Sequence, residues 1–147
     1  LEFRRVLFRS ADHIVLVTQP EIAALVDAYA VVKCVHQASP HARFHVLVNR
    51  AMTEGRGEQA YQKLTEVARQ HVGVHLDYLG EILDDPRIGQ HRLGQLPLVV
   101  TDPKGATARA LDMVVDRLAA VAAPLSAREV ATEGGFEARF RNQRLFL

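Results

Sequence analysis

Hydrophobic positions alternate along this chain between short unbroken runs and stretches with helical spacing. His13-Ile14-Val15-Leu16-Val17-Thr18 is a continuous apolar run, the pattern of a strand buried on both faces. Pro20 follows at a helix-start position, with Glu21 in the first turn, where the helix dipole favours an acid. Ile22, Leu25, Val26, Tyr29 and Val32 recur at helical spacing and predict a helix to about residue 37, which Ser39-Pro40 stops.

The same order repeats. Phe44-His45-Val46-Leu47-Val48 predicts a second buried strand ending at Asn49, followed by a polar loop with Gly55 and Gly57. Tyr61, Leu64, Val67, Ala68 and Val72 mark a second amphipathic helix, with Gly73 as its C-terminal stop. Val74-His75-Leu76-Asp77-Tyr78-Leu79 alternates like a third strand, half-buried or at a sheet edge, and Gly80 follows. Strand, helix, strand, helix, strand at this spacing implies parallel strands joined by right-handed crossovers, and thus an α/β fold with an open, mostly parallel sheet.

Beyond it, Asp84-Asp85-Pro86 signals a turn with a short helix after it. Leu96 to Val100 reads as extended. Thr101-Asp102-Pro103 introduces a long helix with Thr107, Leu111, Val114, Val115, Leu118 and Val121 on one face. Pro124 and Ser126 read as a hinge, Ala127 to Thr132 as a turn or two of helix, and Gly134-Gly135 separates a last segment from Phe136 to Leu147.

The first ten residues stand apart. Val6-Leu7-Phe8-Arg9-Ser10 resembles one reading frame of a common sequencing adapter, and Glu2-Phe3 resembles a translated cloning site. Residues 1–10 are therefore set aside from the fold reading. Without Glu2, Arg4, Arg5 and Arg9 the formal net charge moves from +1 to −1, so the apparent basicity points to no acidic partner. On this reading the native chain enters near Ala11, partway through a longer reading frame. The expected organisation is 1–10 as artefact, 11–123 as the C-terminal half of a larger domain, and 124–147 as a hinge with a tail.

Composition narrows the classes. The 147 residues suffice for one ordinary domain, and 48% apolar with 24% charged residues suits a globular chain with a real core. No apolar run approaches the roughly eighteen residues of a membrane span. One cysteine, Cys34, excludes an internal disulfide framework and a four-cysteine zinc site. Its apolar neighbours suggest a core position. Blocks of like charge are lacking, which gives no sign of a nucleic-acid-binding arm.

Candidate chemistry follows from the topology. Ligands of open parallel sheets bind beyond the carboxyl ends of the strands. Those ends carry Thr18 to Glu21, Asn49-Arg50 and Gly80 to Asp85. The Asn49 amide offers a donor and an acceptor side by side, which suits the edge of an adenine, though a turn asparagine is the plainer reading. For Asp84 and Asp85, neighbours before a proline, helix capping is the simplest role. His71 and His75 have the spacing of a helical metal pair, but Gly73 divides them, and no metal site is expected. No Gly-x4-Gly-Lys-Ser/Thr loop occurs, so this chain lacks a triphosphate cradle of its own.

Five motifs in order then carry a resemblance. Ala11-Asp12-His13-Ile14-Val15-Leu16-Val17-Thr18-Gln19-Pro20-Glu21 resembles the "AD-x-hydrophobic-VTxPE" strand of MinD/ParA-type P-loop ATPases. Asp27-Ala28-Tyr29-Ala30-Val31-Val32-Lys33 is similar to the "DAYAxIK" helix of their flagellar-number branch, the FlhG regulators. Val46 to Arg50 resembles the "hydrophobic-VNR" strand end, Leu79 to Asp85 the "LGxIPxD" turn, and Asp102 to Leu118 the last packed helix. Leu83 stands where that turn usually has proline.

The resemblance implies an incomplete MinD-like domain of a nucleotide-switched ATPase. By position it makes Asn49, Arg50 and Asp85 residues of an ATP base pocket, and places Glu21 and Asp27 on the dimer and partner-binding face. The catalytic lysine, the magnesium ligand and the switch aspartate would lie upstream, leaving no catalytic residue in this chain. The implied partners are a second copy in the parent protein and a flagellar or other regulatory protein. On a helix, Phe136, Phe140, Phe146 and Leu147 share one side among arginines, which suits a membrane interface and a cytoplasmic protein peripheral to the inner face of the cell membrane. Division-site placement or DNA partition is the alternative within the family, and a stand-alone, non-enzymatic interaction module the alternative outside it. A three-stranded sheet alone would leave Val15 or Val46 beside an unpaired edge, so the isolated chain is expected to be marginally stable.

Overall fold

The structure, a computed structural model, describes residues 11–90 and 94–122. The expectations for residues 1–10, for Ala127 to Thr132, and for Phe136, Phe140, Phe146 and Leu147 fall outside these residues. Among the described residues the elements run β1 (His13–Thr18), α1 (Ile22–Ala38), β2 (Arg43–Ala51), α2 (Arg56–His71) and β3 (Leu76–Leu83). Two short helices follow, α3 (Pro86–Gly89) and α4 (Leu98–Thr101), then α5 (Ala106–Ala122). The three strands pair in the order β1-β2-β3, all parallel, which is the open α/β sheet read from the sequence. It is consistent with the partial P-loop NTPase fold that the resemblance implies.

Two layers of core flank the sheet. Phe44, Val46, Val48 and Leu76 point to one side and pack with Val32 and Val35 of α1 and Leu64 and Ala68 of α2. Leu47, Leu79 and Ile82 point to the other side and pack with Val114 of α5, with Leu111 and Leu118 beside them. Burying each of these large side chains contributes about 1.5–3 kcal/mol. Tyr61 of α2 fastens that helix to β3: its hydroxyl donates to the Leu76 carbonyl at 2.7 Å, and its ring stacks on Tyr78 at 4.7 Å between centroids.

Several details differ from the sequence reading. β1 is buried on one face only, because α5 covers β3 and leaves Val15 and Val17 open, the latter 56% exposed. Among the described residues β1, with Val15, and β3 are the edge strands, while Val46 sits in the central strand. Glu21 is the N-cap residue of α1, outside its first turn, and its side chain makes no capping bond. β2 runs past Asn49 to Ala51, and β3 starts at Leu76 and runs past Gly80 to Leu83. Leu98–Thr101 is a single helical turn rather than extended chain, with Pro97 before it and the Thr101 hydroxyl donating to the Leu98 carbonyl. Cys34 is exposed, not in the core. Other readings hold: Gly73 ends α2 at φ 75°, its N–H bonded to the Ala68 carbonyl, and α2 stops at His71, leaving His75 beyond the helix.

β3 also carries a bulge. Val46 faces Tyr78 and Leu47 faces Gly80, so Leu79 is an extra residue in the ladder. Gly80 takes φ 139°, a conformation that favours glycine. The bulge reverses the alternation after it. Glu81, opposite Val48, consequently reaches the α2 side of the sheet, while Ile82 joins Leu79 on the α5 side.

Candidate functional site

The parallel strands bring three polar segments to one rim. Thr18 ends β1 and Gln19 follows it, Asn49 and Arg50 lie near the end of β2, and Asp84 and Asp85 follow β3. The Asp84 N–H donates to the Ala51 carbonyl at 2.9 Å, continuing the ladder past the end of β3. Arg50 Nε donates to Asp84 Oδ1 at 3.0 Å and ties the second segment to the third. Arg50 has φ 58°, in the left-handed region, which is uncommon for a residue with a side chain.

Asn49 is half-buried, and its Oδ1 accepts the Arg50 N–H at 2.9 Å. Its amide nitrogen has no hydrogen-bond partner among the described residues. With Thr18, Gln19, Asp27 and apolar side chains of β1 and α1, Asn49 lines a cavity of about 260 Å³. Thr18 is itself fixed, its hydroxyl donating to the Ala24 carbonyl at 3.1 Å. Pro20, Glu21, Arg50, Arg56, Gln59 and Lys63 contribute to a second cavity of about 300 Å³. Glu21 thus shares a cavity with Arg50, and Asp27 shares one with Asn49. Small-molecule pockets typically span roughly 300–1,000 Å³, so each of these takes a ring or a single charged group rather than a whole nucleotide. The Asn49 amide thus opens on a ring-sized space.

Asp85 is placed differently. It is the N-cap of α3, accepting the Arg87 N–H at 3.0 Å, as the position before Pro86 predicts. The Arg87 guanidinium grips the same carboxylate at 2.7–3.2 Å and also reaches Asp102 at 2.9 Å, while the Thr107 hydroxyl donates to it at 3.0 Å. These bonds, those from the Arg87 side chain foremost, hold the Asp85 carboxyl well below the usual carboxylate range. The carboxylate is engaged on every side, so Asp85 shapes the turn and joins it to α5.

Glu81, Gly57, Arg87 and Thr107 do not stand out in the sequence. Glu81 Oε1 and Oε2 accept the backbone N–H groups of Gly55 and Gly57 at 2.7 and 2.6 Å, so a strand carboxylate caps the start of α2. An acid inside the apolar run Leu79 to Leu83 is the signal that could have found it. Among the described residues no group of three or more His, Cys, Asp or Glu is placed to hold a metal ion, and no helix is long and apolar enough to cross a membrane.

No protein-family model matches the chain. The antiactivator FleN of Pseudomonas aeruginosa is 28% identical over 110 residues, which cover 75% of this chain and 39% of that protein. The chain thus spans well under half the length of the curated relative it matches. The match bears out the resemblance to MinD/ParA-type ATPases of the FlhG-like branch.

Proposed function

We propose that this chain is the base-binding half of a MinD/ParA-like, nucleotide-switched regulator of flagellar number. The observation that carries the reading is the rim: the Asn49 amide opens on a ring-sized cavity, and the Asp84-Asp85 turn stands next to it across the Arg50–Asp84 pair. The similarity to an antiactivator supports the regulatory class.

ATP is the proposed cofactor. Asn49 pairs with the edge of the base, Arg50 braces the adjoining strand end, and Asp85 holds the turn through Arg87 and Thr107. By the family resemblance, phosphate and magnesium binding would fall to residues upstream of the matched region in the parent protein. Glu21 and Asp27, both exposed at the rim, contact the second copy or a regulatory protein. Residues 136–147 attach the dimer peripherally to anionic membrane from the cytoplasmic side.

The test uses the protein carrying the complete native reading frame and a fluorescent ATP analogue. Replacing a two-point contact to a base costs about 1–3 kcal/mol, so Asn49→Ala should weaken binding by roughly five- to 150-fold. Unchanged affinity would overturn the assignment of Asn49. Binding to anionic vesicles that persists undiminished after deletion of residues 136–147 would overturn the role of the tail.

A further inference from the structure

At the opposite, amino end of the sheet, a polar line crosses all three strands. His45 of β2 is 0% exposed. Its Nε2 lies 2.9 Å from Nδ1 of His13 on β1, the two rings meeting edge to edge with centroids 5.1 Å apart and planes 21° from parallel. On its other side, His45 Nδ1 lies 3.4 Å from the Asp77 carboxylate of β3 yet has no hydrogen-bond partner. His75, just before β3, stands 3.3 Å from the second oxygen of Asp77. Arg43, on β2 itself, adds a like charge nearby.

This geometry limits the number of protons the pair can hold. The neutral pair carries two ring protons, one of which fills the gap between the imidazoles, whichever ring supplies it. A third proton makes one ring a cation, and a fourth would set two cations side by side, one of them with no contact with water. Asp77 offsets this in part by attraction, whereas burial, His13 and Arg43 all disfavour charge on His45.

We propose that His13 and His45 form a proton-operated latch that holds β1 to the sheet at neutral pH and releases it in mild acid. With β1 released, His45 of β2 is open to water and takes up a proton as an ordinary imidazole, near pH 6.5, whereas burial in the docked sheet keeps it neutral. The docked state therefore binds fewer protons, and acid favours release. Docking is unaffected above about pH 6.5 and weakens as pH falls below it, by about tenfold at pH 5.5 for one excluded proton. β1 also supplies Thr18 and Gln19 to the Asn49 cavity, so the same proton reaches the rim site.

Amide hydrogen exchange in the full chain, corrected for intrinsic rates and compared at pH 7.5 and 5.5, tests the latch. Protection across His13–Thr18 should fall about tenfold relative to α2 and β3. In His45→Phe, which keeps a buried ring without a titrating group, that difference should vanish. In the unmodified chain, ring NMR should find His45 still neutral at pH 5.5. A His45 that titrates near pH 6.5 with β1 protection unchanged, or an equal loss of protection in β3 and α2, overturns the proposal.

Discussion

Glu81 and Gly57 occupy each other's space: the Glu81 carboxylate accepts the Gly57 N–H at 2.6 Å, and a Cβ on residue 57 would lie 2.5 Å from the Cβ of Glu81. Close approach of α2 to β3 therefore depends on a glycine at one position and a carboxylate at the other. The contact forms beside Val48 of β2, and through the Gly55 N–H, which Glu81 also binds, it anchors the loop between β2 and α2.

Gly57→Ala would meet both the Cβ and the Oε2 of Glu81 at 2.5 Å; the carboxylate end can swing away, but the Cβ is fixed to the main chain, so α2 or the backbone of β3 must move. Overpacking of this kind costs about 1–3 kcal/mol. Urea melts should show that loss with no change in the slope of the transition.

Glu81→Ala leaves two N–H groups at the start of α2 without their acceptor, and hydrogen bonds to a charged group contribute about 1.5–3 kcal/mol. Glu81→Gln keeps one acceptor oxygen and should lose less. The ranking unmodified, Gln, Ala in thermal melts is the expected outcome, and equal stability of the three would refute the capping role.

For Asp85 the sign of the pH effect is fixed by its partners. Arg87 and Thr107 bond to the ionised form, so the carboxyl is harder to protonate in the folded chain than in the unfolded one, where it titrates near pH 3.9. Its stabilisation is complete above about pH 4 and is lost as pH falls through the lowered folded value. Asp85→Asn should lower the melting temperature at pH 7 and converge on the unmodified chain in strong acid. Parallel melting curves across that range would contradict this.

Tyr61→Phe keeps the ring stacked on Tyr78 and removes the hydroxyl from the buried Leu76 carbonyl. The expected cost is about 1 kcal/mol, measured by denaturant unfolding.

The alternation of apolar runs and helical stretches made the strand order legible, because a parallel sheet with crossover helices leaves few other topologies. The convergence of Asn49, Arg50 and the Asp84-Asp85 turn was legible for the same reason. Glu81 was not. Its reach to α2 depends on the bulge at Leu79 and Gly80, and strict alternation would put it on the other face. Cys34 was misplaced because α1 is apolar around most of its circumference. Periodicity cannot choose a face there, and packing selected Ala28, Val32 and Val35, leaving Ile22 80% exposed. The extended reading of Leu96 to Val100 failed on length, since Leu98–Thr101, four β-branched or leucine residues, satisfy one helical turn as readily as a short strand.

The exposure of Cys34 has a practical consequence. It is the only thiol in the 147 residues, and it lies on α1, the helix that also carries Asp27. A maleimide dye therefore attaches at one known place without any substitution. Its emission can follow in real time what approaches that helix, whether a second copy or another protein.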